Sequence, residues 1–236
     1  MPARNSRKQY LENGYYHIYN RGVEKRKIFL DQQDRNVFLS YLKEYLLPKD
    51  EEGLHNRLND PALSPRERDK ILKSLRLNNF SDEITLIAYC LMPNHFHFFV
   101  KQKNAGSIDK FMNSLGTRYT MYFNKKYDRV GSLYQGVYKA VQIAGESQFI
   151  YLSKYIHKQA LSRLQGEALE AQSEALEAQS CSFPEYIGER KTEWVNPEEV
   201  LSYFSKSNSS LSYKFFVLEN FSEDEEITLN SIGIED

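Results

Sequence analysis

The sequence predicts an α+β fold: a ferredoxin-like or RRM-like antiparallel sheet with helices packed on it, followed by a small helical C-terminal extension. Three observations carry that expectation. The apolar pattern changes period along the chain in the order strand, helix, strand, strand, helix, strand, helix, with single long helices between strands. A hydrophobic content of 41%, including many aromatics, supplies a core for 236 residues and excludes global disorder. Charge is divided unevenly. Residues 1–165 hold 27 Lys and Arg against 16 Asp and Glu, a net +11, whereas residues 166–236 hold 4 against 16, a net −12. This marks a main domain over 1–165 and an acidic linker plus extension over 166–236. A basic body with an acidic tail suits a polyanion-binding domain with a shielding segment. On charge alone, a dipolar protein with solvated charges fits equally well.

Other function classes are narrowed by what the chain lacks. Cys90 and Cys181 form neither a metal pattern nor a disulfide framework, which fits a reducing compartment. The first residues, MPARNSRKQYLENG, are polar and basic, with no apolar core of a signal peptide. No apolar run is long enough to span a bilayer. The expected location is the cytoplasm, with no membrane partner.

GYYHIYNRG (14–22) alternates and reads as a strand ending in a turn at Gly22. DRNVFLSYLKEYLL (34–47) places Val37, Phe38, Tyr41, Leu42 and Tyr45 on one helical face, and Pro48 ends it. Residues 48–83 are polar and read as a surface insertion. Within them a short basic helix is expected, with Ser64 as N-cap, Pro65 first in the helix and Glu67 closing a capping box. ITLIAYCLM (84–92) is a strand and HFHFFVK (95–101) another or its continuation, with Pro93-Asn94 bending the chain between them. SIDKFMNSLGTRYTMYFNKKY (107–127) is an amphipathic helix with Ser107 as N-cap. RVGSLYQGVYKAVQI (129–143) is a glycine-punctuated loop entering a strand, and SQFIYLSKYIHKQALSRL (147–164) is a second long helix. EALEAQS then occurs twice over 167–180; two copies are too few for a solenoid, and the segment is expected to extend the preceding helix as a linker. A short helix is expected near Pro197, capped by Asn196, and the acidic end SEDEEITLNSIGIED is expected to be mobile.

LMPNHFHFFV (91–100) holds the chemical question. In a strand, residues i and i+2 project from one face, so His95 and His97 point together and Phe96 and Phe98 point into the core. Two imidazoles can share a metal ion, or can be two half-buried histidines that each have a hydrogen-bond partner. Tyr155 and Gln159, at i and i+4 of the last long helix, share one helical face. Gln159 offers a carbonyl oxygen suited to Mg²⁺ or Mn²⁺, and Tyr155 a phenol beside it. Such a set makes sense for phosphodiester cleavage, with the ion polarising the phosphate and the phenolate attacking phosphorus. Taken alone, Tyr155 reads as a helix residue packed on the sheet.

The pieces YHIYNRG, AYCLMPNHFHFFV, FMNSLGTRYTMYFN, RVGSLYQGVYK and YLSKYIHKQ, in that order over residues 14–160, resemble the REP-associated branch of the HUH single-tyrosine transposases. EYIGERKTEWVNPEEVLSYF is similar to that family's C-terminal extension. The resemblance implies an HUH endonuclease palm, His95 and His97 as metal ligands, Gln159 as third ligand, Tyr155 as nucleophile, and Mg²⁺ or Mn²⁺ as cofactor. It implies single-stranded or hairpin DNA as substrate, cut through a 5′-phosphotyrosine intermediate, by a monomer or homodimer associated with the nucleoid. Candidate DNA contacts are Arg21, Arg118, Arg129, Tyr134, Lys139, Lys154 and Lys158. The sequence departs from the family where Gln159-Ala160 replaces a common Asn-Pro, Val137 an arginine and Ser132 a histidine. His17, in the first-strand motif, reads equally as site-facing or structural. A hairpin-binding protein that does not cut is the main alternative, although binding alone does not need His95, His97, Tyr155 and Gln159 together. A histidine-triad nucleotide hydrolase would expect a histidine where Phe99 stands.

Overall fold

A computed structural model of the chain describes residues 10–164 and 180–231. The EALEAQS repeat lies outside the described residues except for Ser180.

Four strands form one sheet: β1 (Tyr15–Arg21), β2 (Ile84–Met92), β3 (His95–Gln102) and β4 (Lys139–Ile143), in the order β2-β3-β1-β4 with every neighbour antiparallel. That is the expected ferredoxin-like arrangement. Between β1 and β2 run α1 (Gln32–Leu46), α2 (Glu51–Leu58) and α3 (Pro65–Arg76); α4 (Ser107–Lys126) joins β3 to β4, and α5 (Glu146–Leu164) follows β4. The tail adds α6 (Phe183–Tyr186), α7 (Glu198–Leu201), α8 (Tyr213–Leu218) and α9 (Glu223–Ser231).

Alternation along β1 and β3 divides the sheet into two faces. Tyr16 and Ile18 of β1 and Phe96, Phe98 and Val100 of β3 meet Phe38 and Leu42 of α1 and Phe111, Leu115 and Tyr119 of α4. On the other face, Cys90 of β2 and Phe99 of β3 meet Phe149, Leu152 and Ile156 of α5. Phe183, Tyr186, Val200, Tyr213, Val217 and Leu229 from the tail complete this second core. The tail therefore shares a core with residues of the main body.

Local chemistry explains the element ends. Asp31 caps α1 by accepting from the Asp34 N–H, and Ser64 and Glu67 form the expected capping box on α3 with Pro65 first. The insertion contains a second helix, α2, capped by Asp50, which the sequence reading passed over. Ser107 is not the cap of α4. Gly106 takes that position at φ 89°, where a side chain would be strained, and the Ser107 hydroxyl donates to Glu83 instead. Pro197 occupies the cap of α7, while Asn196 accepts from the Glu198 N–H beside it. Of the acidic end, expected to be mobile, the described part forms α9, whose Glu225 is buried against Lys154; residues 232–236 lie outside the described residues.

Candidate active site

Pro93 and Asn94 form the tip of a two-residue β-turn, with Met92 opposite His95 and Cys90 opposite His97. The tip is fastened to the start of the α1 connection. The Pro93 carbonyl accepts from the N–H groups of Ile28 and Phe29 at 2.7 and 3.0 Å, and the Asn94 carbonyl from Gly22 N–H at 2.8 Å. Gly22 is required there, because a Cβ would come within 2.3 Å of the Arg26 carbonyl oxygen. These bonds fix where β3 starts, and hence which face His95 and His97 take.

Both histidines face α5. The ring of His97 lies 4.9 Å from that of His95 and 5.5 Å from that of Tyr155, perpendicular to each. Tyr155 and Gln159 stand one helical turn apart and line the same cavity, of about 520 Å³, as His95 and His97. Buried Leu152 and Ile156, on the same side of α5 as Tyr155, lock that side onto the sheet. The structure thus brings together all four residues of the predicted set.

Hydrogen bonds define which ring nitrogens carry protons. Asn94 donates from its amide nitrogen to the Lys25 carbonyl at 3.4 Å, which turns its oxygen to His95 Nδ1 at 2.6 Å. His95 must donate there, so its lone pair is on Nε2. His97 is buried, and burial with the neighbouring His17 and His95 rings holds its pKa well below that of a free histidine. Neutral imidazole is the form that binds metal. Two imidazole nitrogens and the Gln159 amide oxygen therefore fit a divalent cation such as Mn²⁺ or Mg²⁺ by donor chemistry. Among the described residues, no group of three or more His, Cys, Asp and Glu side chains is placed to hold a metal, so an ion held by His95 and His97 would take its further donors from outside those residue types, as the Gln159 amide oxygen could supply.

The predicted DNA contacts separate into two groups. Arg21 and Lys139 line the cavity. The other five do not. Arg118 pairs with Glu44 and stacks on Tyr41, and Arg129 bonds Asn124 at the end of α4. Tyr134 is half-buried, with its hydroxyl enclosed without a hydrogen-bond partner, and its ring stands edge-on to that of Phe96, 6.0 Å away. Lys154 is 1% exposed, with Nζ 3.0 Å from both Glu225 carboxylate oxygens. Its charge is already matched, and the expectation of a DNA contact does not hold for it in this arrangement. Lys158 donates to the Glu219 carbonyl and is likewise turned to the tail.

The sequence reading missed Tyr19, Asn20 and Gln135 as cavity walls. The period of two in β1 was the available signal for Tyr19, since it puts residues 17, 19 and 21 on the histidine face. Gln135 arrives through loop bonds that no periodicity reveals: its N–H donates to the Arg21 carbonyl at 2.9 Å, and Asn20 donates to the Gly136 carbonyl at 3.1 Å.

Part of the chain is similar to known transposases. Residues 61–159 match the family model described as transposase IS200 like. Among solved structures, the REP-associated tyrosine transposase bound to a REP hairpin aligns at 10% identity and TM-score 0.47, covering 92% of this chain and 99% of that one. A candidate transposase from Deinococcus radiodurans R1 aligns at 16% identity and TM-score 0.28, covering 66% and 97%. No curated protein matches the chain. The matched region ends on Gln159 and holds His95, His97 and Tyr155, and over it the chain is similar to the IS200-like transposases.

Proposed function

We propose that the protein is a metal-dependent endonuclease and strand transferase for single-stranded DNA at palindromic hairpin elements, with Tyr155 as nucleophile. One observation carries this reading. A tyrosine and an amide one turn apart on α5 share a cavity with two histidines, and the Tyr155 ring stands 5.5 Å from that of His97. Bound at His95, His97 and Gln159, a divalent ion would polarise the scissile phosphate and offset developing charge.

The remaining steps belong to the chain. Arg21 and Lys139, at the cavity wall, hold a phosphate by charge and hydrogen bonds. The phenol of Tyr155 gives up its proton as Oη bonds to phosphorus; the P–O3′ bond breaks and the 3′ oxygen leaves as a hydroxyl. The 5′-phosphotyrosine keeps the bond energy for rejoining to another 3′ end. Residues 1–165 supply the basic face, and the acidic tail covers the back of α5. Such a protein works where the chromosome is.

The test is covalent capture. Purified protein is incubated with DNA hairpins from its own genome and Mn²⁺, then run on a denaturing gel. A protein–DNA adduct is expected, and Tyr155→Phe should lower its yield about 10⁴-fold or more, the order expected for deletion of an attacking group, while hairpin binding persists. Adduct formation by Tyr155→Phe together with loss in Tyr151→Phe would move the nucleophile one turn.

A further inference from the structure

His17 lies at the middle of β1, fully buried, and the chemistry proposed for the cavity does not use it. Its Nε2 is 2.9 Å from Nδ1 of His97, and the two rings lie nearly parallel, 14° apart. Tyr19 stacks against both rings at 26°. The other nitrogen of His17, Nδ1, is buried with no hydrogen-bond partner.

Proton counting makes this contact directional. One N–H must lie between two neutral imidazoles that share a hydrogen bond. If His17 donates, the single proton of His97 sits on Nε2, and that nitrogen has no lone pair for an ion. If His97 donates from Nδ1, its Nε2 carries a lone pair. Coordination by His97 through the nitrogen not bound to His17 therefore requires His17 to accept. The one proton of His17 must then sit on Nδ1, where it meets no acceptor. A buried lone pair without a partner is a milder defect than a buried N–H without one. In the absence of an ion, the favoured arrangement is accordingly the one with His17 as donor.

We infer that His17 is a positioning residue whose hydrogen bond to His97 changes direction when a divalent cation binds, so that the tautomers of both rings report on, and help set, metal affinity. This rests on the reading of His95 and His97 as metal ligands. His17 would be the outer partner that ligating histidines generally have, with an imidazole in place of the usual carboxylate or carbonyl.

Two measurements on the full chain test it. In the first, Mn²⁺ alone is titrated and the free ion is read by its electron paramagnetic resonance signal. His17→Phe, which cannot accept, should weaken binding about 10–100-fold, the usual effect of losing an outer-shell partner. His17→Gln, whose amide oxygen can accept from His97 Nδ1, should stay within about threefold of wild type. In the second, nitrogen–proton correlation spectra of the wild-type imidazoles are recorded with and without Mg²⁺. They should show the His17 proton moving from Nε2 to Nδ1 and the His97 proton from Nε2 to Nδ1. Equal Mn²⁺ affinity in a folded His17→Phe would overturn the inference and leave His95 and His97 as ligands. Unchanged tautomers under saturating Mg²⁺ would overturn it even if that variant fails to fold. A wild type that binds no Mn²⁺, or whose binding survives His95→Ala, removes the ligand reading and the inference together.

Discussion

On the face of the sheet covered by α1 and α4, Ile18, Phe96, Phe98 and Val100 meet Phe38, Leu42, Phe111 and Tyr119, all of them buried and apolar or aromatic. On the opposite face the same two strands present His17, His95 and His97, and α5 above them carries Lys154, Tyr155, His157 and Gln159. Adjacent residues of β3 thus do opposite work. The first face holds the fold with close-packed side chains. The second encloses charge and lone pairs, which are costly to bury, and meets that cost with specific partners. Lys154 has Glu225, His157 has Tyr213 at 2.6 Å and Ser182 at 2.8 Å, and His97 has His17. Two of those three sets of partners come from the tail. The comparison teaches why the acidic extension packs on α5: it satisfies the polar helix that carries the candidate nucleophile.

Alanine at neighbouring positions of β3 breaks the comparison most sharply. Phe98→Ala should cost about 3–5 kcal/mol, since the ring is fully buried among other rings. His95→Ala, at the cavity wall, should change unfolding free energy by less than about 1 kcal/mol while abolishing Mn²⁺-dependent adduct formation. Denaturant melts of the two variants decide it. A His95→Ala protein that melts like Phe98→Ala would make the histidine face a second structural core.

How much of this was legible in the sequence follows the same division. The apolar face was, because periods of 2.0 and 3.6 are imposed by packing and leave their mark on every residue. Phe96 and Phe98 inward with His95 and His97 outward came from alternation alone. Tyr155 and Gln159 shared a helical face by spacing, but only the fold brings them over the histidines. Lys154 misled: a lysine next to the candidate nucleophile reads as a phosphate contact, and nothing local shows that Glu225, 71 residues on, closes over it. The order of the acidic end was hidden for the same reason. Its charges look solvated until the buried cation they serve is known. The partnership of His17 with His97 depends on the pairing of β1 with β3, where His17 sits opposite Phe99 and diagonal to His97.

Glu225→Gln tests the tail's role with a smaller effect. Breaking a buried pair from one side leaves an unmatched charge, here Lys154 at 1% exposure. The expected cost is about 3 kcal/mol. Lys154→Met with Glu225→Leu should recover most of it, because replacing both partners with apolar groups of similar volume is often close to neutral. Thermal melts of the three proteins give the answer. If the single variant is as stable as wild type, the tail only rests on α5 and does not satisfy it.

The smallest expected effect comes from acid. Burial holds His157 at a pKa of about 3, and its two ring nitrogens are engaged by the tail residues Tyr213 and Ser182. In the unfolded chain the same imidazole titrates near 6.5. Above about pH 6.5 neither state is protonated, and the site contributes its full stability. Between about 6.5 and 3 the unfolded state binds a proton that the folded state excludes, so stability falls as pH falls. From pH 6.5 to pH 5 the loss is about 2 kcal/mol from this residue, at 1.36 kcal/mol per pH unit. His17, also held at about 3 by burial, adds a similar slope from beside the cavity. Burial holds His97 well below the usual histidine range as well, so His157→Gln removes one of three such imidazoles and should cut the pH dependence between pH 6.5 and 5 by about a third, while lowering stability at neutral pH. Urea midpoints at several pH values read both quantities at once. A slope unchanged by His157→Gln would mean that the tail opens around α5 before the rest of the sheet unfolds, letting His157 protonate without cost, and the polar face would then be the less stable of the two.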